Sequence, residues 1–280
     1  MLRIDSVIRP KKLDEALGAI SKDSDLKPIA GGTDLMVQLQ DSCRRIRLMD
    51  ISGILELGTL RLEGGKLFIG ANLTHAEIAM SELVREYAPL LAQSSAVMGG
   101  PAIRNRATIG GNVANSSPVA ESFPTLIAHG AEVVLISLRG ERRIAVEDFH
   151  LGPGKNAMEP DEIILGFDVP AVGEDCFGFY ERLGSRAAMT ITKVGVALAA
   201  KVKSNRLEKV RIALSAVAPR VIRAPESEKI LESGEISPEL IARAAKILVT
   251  ECTPISDFRS TCDYREDMVG QLFRKGMANF

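Results

Sequence analysis

Tryptophan is absent from this 280-residue chain and only three tyrosines occur. Aromatic platforms on which single-stranded bases could stack are therefore scarce. Neither sign of charge is in excess: 35 Lys and Arg against 36 Asp and Glu leave a net charge of −1. A general nucleic-acid binder shows a basic excess, so that class is disfavoured, although a local basic patch stays open. Four cysteines, Cys43, Cys176, Cys252 and Cys262, contain no C-x-x-C pair. That argues against a zinc or iron–sulfur site built from this chain, and no metal ligand is assigned. The thiols read as reduced and partly buried, as in a cytoplasmic protein. No apolar run reaches about 18 residues, so no membrane span is expected. Met1 to Asp5 lack the apolar stretch of a secretory signal. There is no Walker A pattern and no G-x-S-x-G elbow. His75, His129 and His150 lie far apart and read as surface or capping residues rather than ligands. No nucleophile–base pair emerges, which suits a chain that positions a cofactor and leaves the chemistry to it.

What is present is a pair of double-glycine segments. The first is Pro28-Ile29-Ala30-Gly31-Gly32-Thr33-Asp34, and the second is Arg104 to Asn115 with Thr108-Ile109-Gly110-Gly111-Asn112 at its centre. Glycine lets backbone N–H groups turn inward and lets a ligand approach the main chain. Two such loops could grip a diphosphate from both sides, which makes a dinucleotide the leading ligand. Either could also be a structural corner. Asp34 sits poorly beside a diphosphate and is expected to point away, toward a ribose hydroxyl or a helix N-terminus. Arg104 and Arg106 could neutralise phosphate or be a solvated pair. A third glycine cluster, Gly152-Pro153-Gly154, precedes Pro160 and acidic residues and reads as a loop.

The composition, 46% hydrophobic and 25% charged, is that of a globular protein long enough for a full core. Apolar periodicity predicts helices over about 12–22, from Thr33, from Thr74 through Leu83, over 84–98 and over 118–128. It predicts strands over 27–30, 47–51, 67–71, 132–138 and 162–169. Residues 171–176 read as a linker. Strands follow over 177–182, 194–202 and 209–217, then helices over about 225–233, 237–250 and 261–276. The first 50 residues read as a compact α/β unit. The C-terminal part reads as a separate α+β domain.

Ala30 to Leu35, Ile103-Arg104-Asn105, Thr108 to Asn112, Ser117-Pro118, Asp161 to Ile164 with Val169-Pro170, and Arg186 to Ile191 together resemble the FAD-binding medium subunit of molybdenum hydroxylases. That family includes the xanthine and carbon monoxide dehydrogenases. The resemblance covers nearly the whole chain and implies an α+β fold. An FAD-binding domain over 1–175, with two α/β subdomains over about 1–55 and 56–175, would precede a domain of three antiparallel strands and three helices over 176–280. It implies that Ile29, Ala30, Gly31, Gly32, Thr33 and Asp34, with Thr108, Gly110, Gly111, Asn112, Ala114 and Asn115, hold the FAD diphosphate and ribityl chain. By the same resemblance Met98 lies against the flavin or adenine, Ile163 and Ile164 supply apolar walls, and Arg182 stands where some relatives carry a Lys near the cofactor. Glu121 stands where Asp is common, and Ala102 where Gln is frequent. The implied partners are a molybdopterin-binding large subunit and a [2Fe–2S] small subunit, whose electrons the flavin would pass to NAD or another acceptor. Two alternatives remain: a stand-alone FAD-dependent reductase of the cell-wall precursor type, and a non-enzymatic interaction module.

Overall fold

The computed structural model describes residues 4–40, 45–186 and 189–280. Cys43, Ala187 and Ala188 lie outside the described residues. Three sheets organise the chain. The first is parallel, built from β1 (Ile4–Ile8), β2 (Leu26–Ile29) and β3 (Ile46–Asp50) in the order β1-β3-β2. Helix α1 (Leu13–Ile20) closes the first crossover. It buries Ala16, Leu17 and Ile20 as one stripe against Leu26 and Met49. Helix α2 (Leu35–Gln40) follows the first glycine pair.

The second sheet is antiparallel and runs β4-β5-β10-β6-β7. Its hairpin β4 (Leu60–Glu63) and β5 (Lys66–Gly70) leads into six short helices: α3 (His75–Met80), α4 (Glu82–Tyr87), α5 (Pro89–Val97), α6 (Pro101–Arg104), α7 (Ile109–Ala114) and α8 (Ser122–Ala128). Then come β6 (Glu132–Ser137), β7 (Gly140–Ala145), the single turn α9 (Val146–Phe149), the small hairpin β8 (His150–Gly152) and β9 (Lys155–Asn156), and the central β10 (Ile163–Pro170). The third sheet has the order β11-β12-β13-β14, from β11 (Cys176–Leu183), β12 (Val194–Lys203), β13 (Arg206–Ser215) and β14 (Ile222–Arg223). Helices α10 (Pro225–Glu232), α11 (Pro238–Thr250) and α12 (Cys262–Met277) follow.

The sequence of β12 shows why this last domain sits where it does. Val194, Val196, Leu198 and Ala200 face the core shared with the three C-terminal helices. Ala197 and Ala199 face the other way, against Leu90 and Ala128 of α5 and α8. A strand covered on both faces reads as a continuous apolar run. Its small residues on one face let the preceding helices come close. The core of the second sheet also takes in Ala213 of β13 and Val221.

Several elements differ from the sequence reading. The helix expected over 84–98 is two helices, broken at Ala88 (φ −143°, ψ 56°) because Pro89 disfavours helical backbone in the residue before it. The Thr74 helix stops at Met80, and Leu83 belongs to α4. The helix expected from Pro118 begins at Ser122. Gly110 and Gly111 lie inside α7 rather than in a turn. The C-terminal sheet gains a two-residue fourth strand, β14. All three histidines are buried rather than at the surface, although His129 and His150 do stand at the C-caps of α8 and α9. His75 bonds Ser95 through Nδ1 and His150 lies over the Phe123 ring. No helix among the described residues is long and apolar enough to cross a membrane.

Candidate cofactor site

The first loop leaves β2 at Ile29 and turns through Gly32, whose φ of +70° favours glycine. Among the described residues, the N–H groups of Gly31, Gly32 and Thr33 donate to no protein acceptor. Consecutive free N–H groups on a turn form an anion-binding concavity. Gly31 is required for a different reason: a Cβ there would fall on the Arg106 carbonyl of the second loop.

The second loop is fastened to residues 71–75. His75 N donates to the Ala107 carbonyl at 3.0 Å, Ile109 N to Leu73 at 3.0 Å and Gly110 N to Ala71 at 2.9 Å. Thr108 caps α7, its hydroxyl accepting from Gly111 N at 3.1 Å. A Cβ on Gly110 would stand 2.6 Å from the Cβ of Ala71, so this helix is pressed onto β5's exit. The two loops are also joined by side chains. Gln38 of α2 donates to the Asp34 carboxylate and, at 3.1 Å, to Asn115 Oδ1. Asp34 is thereby tied to the helix that follows it while still lining the cleft.

Between the loops runs a cleft with two lobes. One, about 430 Å³, is lined by Ile29 to Leu35, Gln38, Met98, Ile103, Ala107, Thr108, Gly111, Asn112, Ala114 and Asn115. The other, about 570 Å³, lies between the first two sheets and is lined by Ile20, Leu26, Ile51, Asn72, Gly110, Asn156, Met158, Ile163 and Ile164 among others. Pro28, Ala30, Thr108, Gly111 and Ala114 border both lobes and form a waist. Each lobe is of ligand size. A ring system in each lobe with a diphosphate at the waist is the shape of a dinucleotide. The free N–H groups of Gly31, Gly32 and Thr33, which line the first lobe beside the waist, with Thr108 and Gly111 at the waist itself, fit the diphosphate of FAD.

Of the residues singled out from the sequence, Ile29 to Asp34, Met98, Thr108, Gly111, Asn112, Ala114 and Asn115 line the first lobe. Gly110, Ile163 and Ile164 line the second. Glu121 and Arg182 line neither. They form a buried pair, Arg182 Nη1 to Glu121 Oε1 at 3.4 Å, with side chains 8% and 11% exposed. Burial pushes the Glu121 carboxyl up, and the Arg182 charge opposes it. Thr192 donates to the same oxygen at 3.2 Å. Arg104 is a tie within the fold: it donates to the carbonyls of Met98 at 3.0 Å and Gly99 at 3.4 Å. Sequence reasoning missed Gln38, Asn72 and Asn156. The two asparagines donate to the Ile51 and Ala114 carbonyls, contacts that carry no local sequence signal.

A parallel unit and an antiparallel sheet facing each other across a glycine-waisted cleft define a dinucleotide-binding subunit with an appended α+β domain. The chain belongs to the family of FAD-binding medium subunits of the molybdenum hydroxylases. The family model for the FAD binding domain in molybdopterin dehydrogenase matches residues 2–172, and that for the CO dehydrogenase flavoprotein C-terminal domain matches residues 180–280. The xanthine dehydrogenase FAD-binding subunit of Escherichia coli O157:H7 is 28% identical over 98% of this chain and 95% of its own length. The carbon monoxide dehydrogenase medium chain of Hydrogenophaga pseudoflava is 30% identical over 96% of this chain and 94% of its own. The solved carbon monoxide dehydrogenase from that organism superposes with a TM-score of 0.94 at 30% identity, covering 99% of this chain and 96% of that one. Quinoline 2-oxidoreductase from Pseudomonas putida 86 gives 0.92 at 25% identity, covering 98% and 95%. The chain is thus an oxidoreductase subunit of the xanthine dehydrogenase-like kind.

Proposed function

We propose that this chain holds FAD in the two-lobed cleft and serves as the exit for electrons in a three-subunit cytoplasmic enzyme. A molybdopterin-binding large subunit would oxidise the organic substrate, and [2Fe–2S] centres on a small subunit would deliver the electrons here for transfer to NAD or another acceptor. Bound FAD supplies the chemistry this chain's side chains lack, the exchange of electrons singly or in pairs.

The chain's own residues bind, orient and enclose. The N–H groups of Gly31, Gly32 and Thr33, in the first lobe beside the waist, would hold the diphosphate together with Thr108 and Gly111 at the waist. Ile163 and Ile164 wall the lobe between the sheets, which suits the adenine. Met98 walls the first lobe, which suits the flavin ring because Val97 and Ile103 beside it are each 40% exposed and open that end to an electron partner. We divide the chain into the FAD-binding domain over 1–175 and the C-terminal domain over 176–280. The metal centres are proposed for the partner subunits. A stand-alone reductase would need a proton donor on the C-terminal domain; of the candidates there, Glu181 is engaged by Lys275 at 2.7 Å, the Tyr180 hydroxyl is buried, and Ser185 is exposed after β11 and lines neither lobe.

The observation that carries this reading is the cleft, where two ligand-sized lobes meet at a waist bordered by both loops and the free N–H groups of the first loop lie in the first lobe beside it. The test is an absorbance spectrum of the purified chain before and after addition of FAD, with the released flavin identified. Flavin bands and recovered FAD are expected. Recovery of FMN, or a colourless chain both alone and in its complex, would overturn the assignment.

A further inference from the structure

Helix α5 ends at Val97, and the chain then passes extended through Met98 and turns back at Gly99 (φ +50°) into α6. The last turn of α5 contains no basic residue. Its terminal carbonyls are instead met by two guanidinium groups from elsewhere. Arg104 donates to Met98 from the local side. Arg182, on β11 of the C-terminal domain, donates to the Val97 carbonyl through Nη2 at 2.6 Å. That is the shortest of its bonds; those to Glu121, Thr190 and Thr192 are 3.4–3.5 Å. Cations that bond the last carbonyls of a helix oppose its dipole and fix its end. The C-terminal domain adds a second hold just beyond. Met189 N donates to the Gly99 carbonyl at 3.3 Å, and a Cβ on Gly100 would stand 3.0 Å from Met189 Cγ.

From this we infer that Arg182 is a positioning residue, which with Glu121 behind it seats the Val97–Gly100 segment and thereby sets how Met98 lies against the flavin end of the cleft. The inference rests on the FAD reading above. Its logic is geometric. Met98 is a wall of the first lobe, the peptide on its N-terminal side is held by Arg182, and Arg182 does not itself reach the lobe. Glu121 and Thr192 surround the guanidinium and fix its direction. The C-terminal domain therefore contributes to the cofactor site through main-chain carbonyls, Arg182 holding that of Val97 and Met189 N that of Gly99.

The test uses the full chain loaded with FAD, comparing wild type with R182Q, R182K, M98A and the double variant R182Q/M98A. Loss of one charge-assisted bond is expected to weaken FAD binding about tenfold in R182Q and to alter the visible circular dichroism of the bound flavin. R182K is expected to restore part of both, since an ammonium can reach the Val97 carbonyl but cannot span to Glu121 at the same time. Because Arg182 acts through Met98, R182Q/M98A should be no worse than the poorer single variant. If R182Q does not fold, R182K and M189A carry the test. Met189 is 63% exposed, so its truncation leaves the core intact and removes the side chain beside Gly100 while keeping the bond from Met189 N to Gly99, and a smaller change of the same sign in the flavin signal is expected. An unaltered flavin signal and affinity in the folded Arg182 variants and in M189A, or additive losses in the double variant, would overturn the inference. A wild-type chain that takes up no FAD would instead sink the cofactor reading itself.

Discussion

Gly31 lies directly against the carbonyl of Arg106, with no room for a Cβ between them. The two glycine loops are therefore one structure: the first is seated on the backbone of the second, and neither keeps its shape if the other moves. Ala30 and Thr108, which border the waist, flank this contact in the sequence.

Substituting the two glycines of the first loop separates space from conformation. Gly31→Ala places a methyl group on the Arg106 carbonyl, so the loops must part, and the variant is expected to purify without flavin. Gly32→Ala asks alanine to adopt φ +70°, at a cost of about 1–2 kcal/mol, with Ile29 Cδ1 and Met36 Cγ at 3.2 and 3.3 Å able to yield. It should retain FAD at reduced affinity. Flavin content per chain, measured by absorbance, checks the order.

Thr108→Ala removes the cap from a six-residue helix that contains two glycines and has little intrinsic stability. A loss of about 1 kcal/mol is expected, a fall of about 2–4 °C in Tm. Thr108→Ser should recover most of it. Thermal unfolding followed at 222 nm, with and without FAD, is the measurement, and added FAD should raise Tm in all three forms.

Burial pushes His75, His129 and His150 each down to about 4 from the usual 6.5. The folded chain thus keeps them neutral while the unfolded chain takes up protons below pH 6.5. Their contribution is fully present above pH 6.5 and is lost progressively as pH falls toward 4. Urea midpoints measured across that window should decline. His129→Leu, which removes a ring whose two nitrogens have no partner among the described residues, should make the decline shallower.

The Glu121–Arg182 pair should show the asymmetry of buried ions. Arg182→Met leaves a buried carboxylate unpaired, and a loss of about 3–5 kcal/mol is expected. Adding Glu121→Gln removes that charge, so the double variant should be more stable than Arg182→Met alone. Denaturant unfolding of the four forms gives the coupling directly.

Much of this fold is legible from periodicity. Val210, Ile212 and Leu214 alternate in the sequence and are all buried on one face. The segments that escaped are those whose reason is tertiary. Strand β7 reads Gly-Glu-Arg-Arg-Ile-Ala and shows no apolar alternation; it forms because β6 offers a partner across a tight turn. Gly110 and Gly111 read as a turn because glycine punctuates chains, yet both are helical, and Gly110 is there because only glycine lets that helix rest on Ala71. The histidines read as surface residues because polarity is visible in sequence and burial is not. Likewise Arg182 is expected at the cofactor by resemblance, and nothing in one dimension shows that Val97 and Glu121 converge on it.

The seam between the domains has a bearing on inheritance. Ala213 and Val221 come from the segment matched by the C-terminal model, yet they pack in one core with Phe123, Leu126 and Ile127 of α8. Residues 172 and 180 mark where one family description stops and the next starts, but no free surface parts them. A chimera joined there would bring together two faces shaped by different histories, and its hybrid would have to repack the floor beneath α8. A join between residues 172 and 180 therefore cuts across one shared core rather than between two separate bodies.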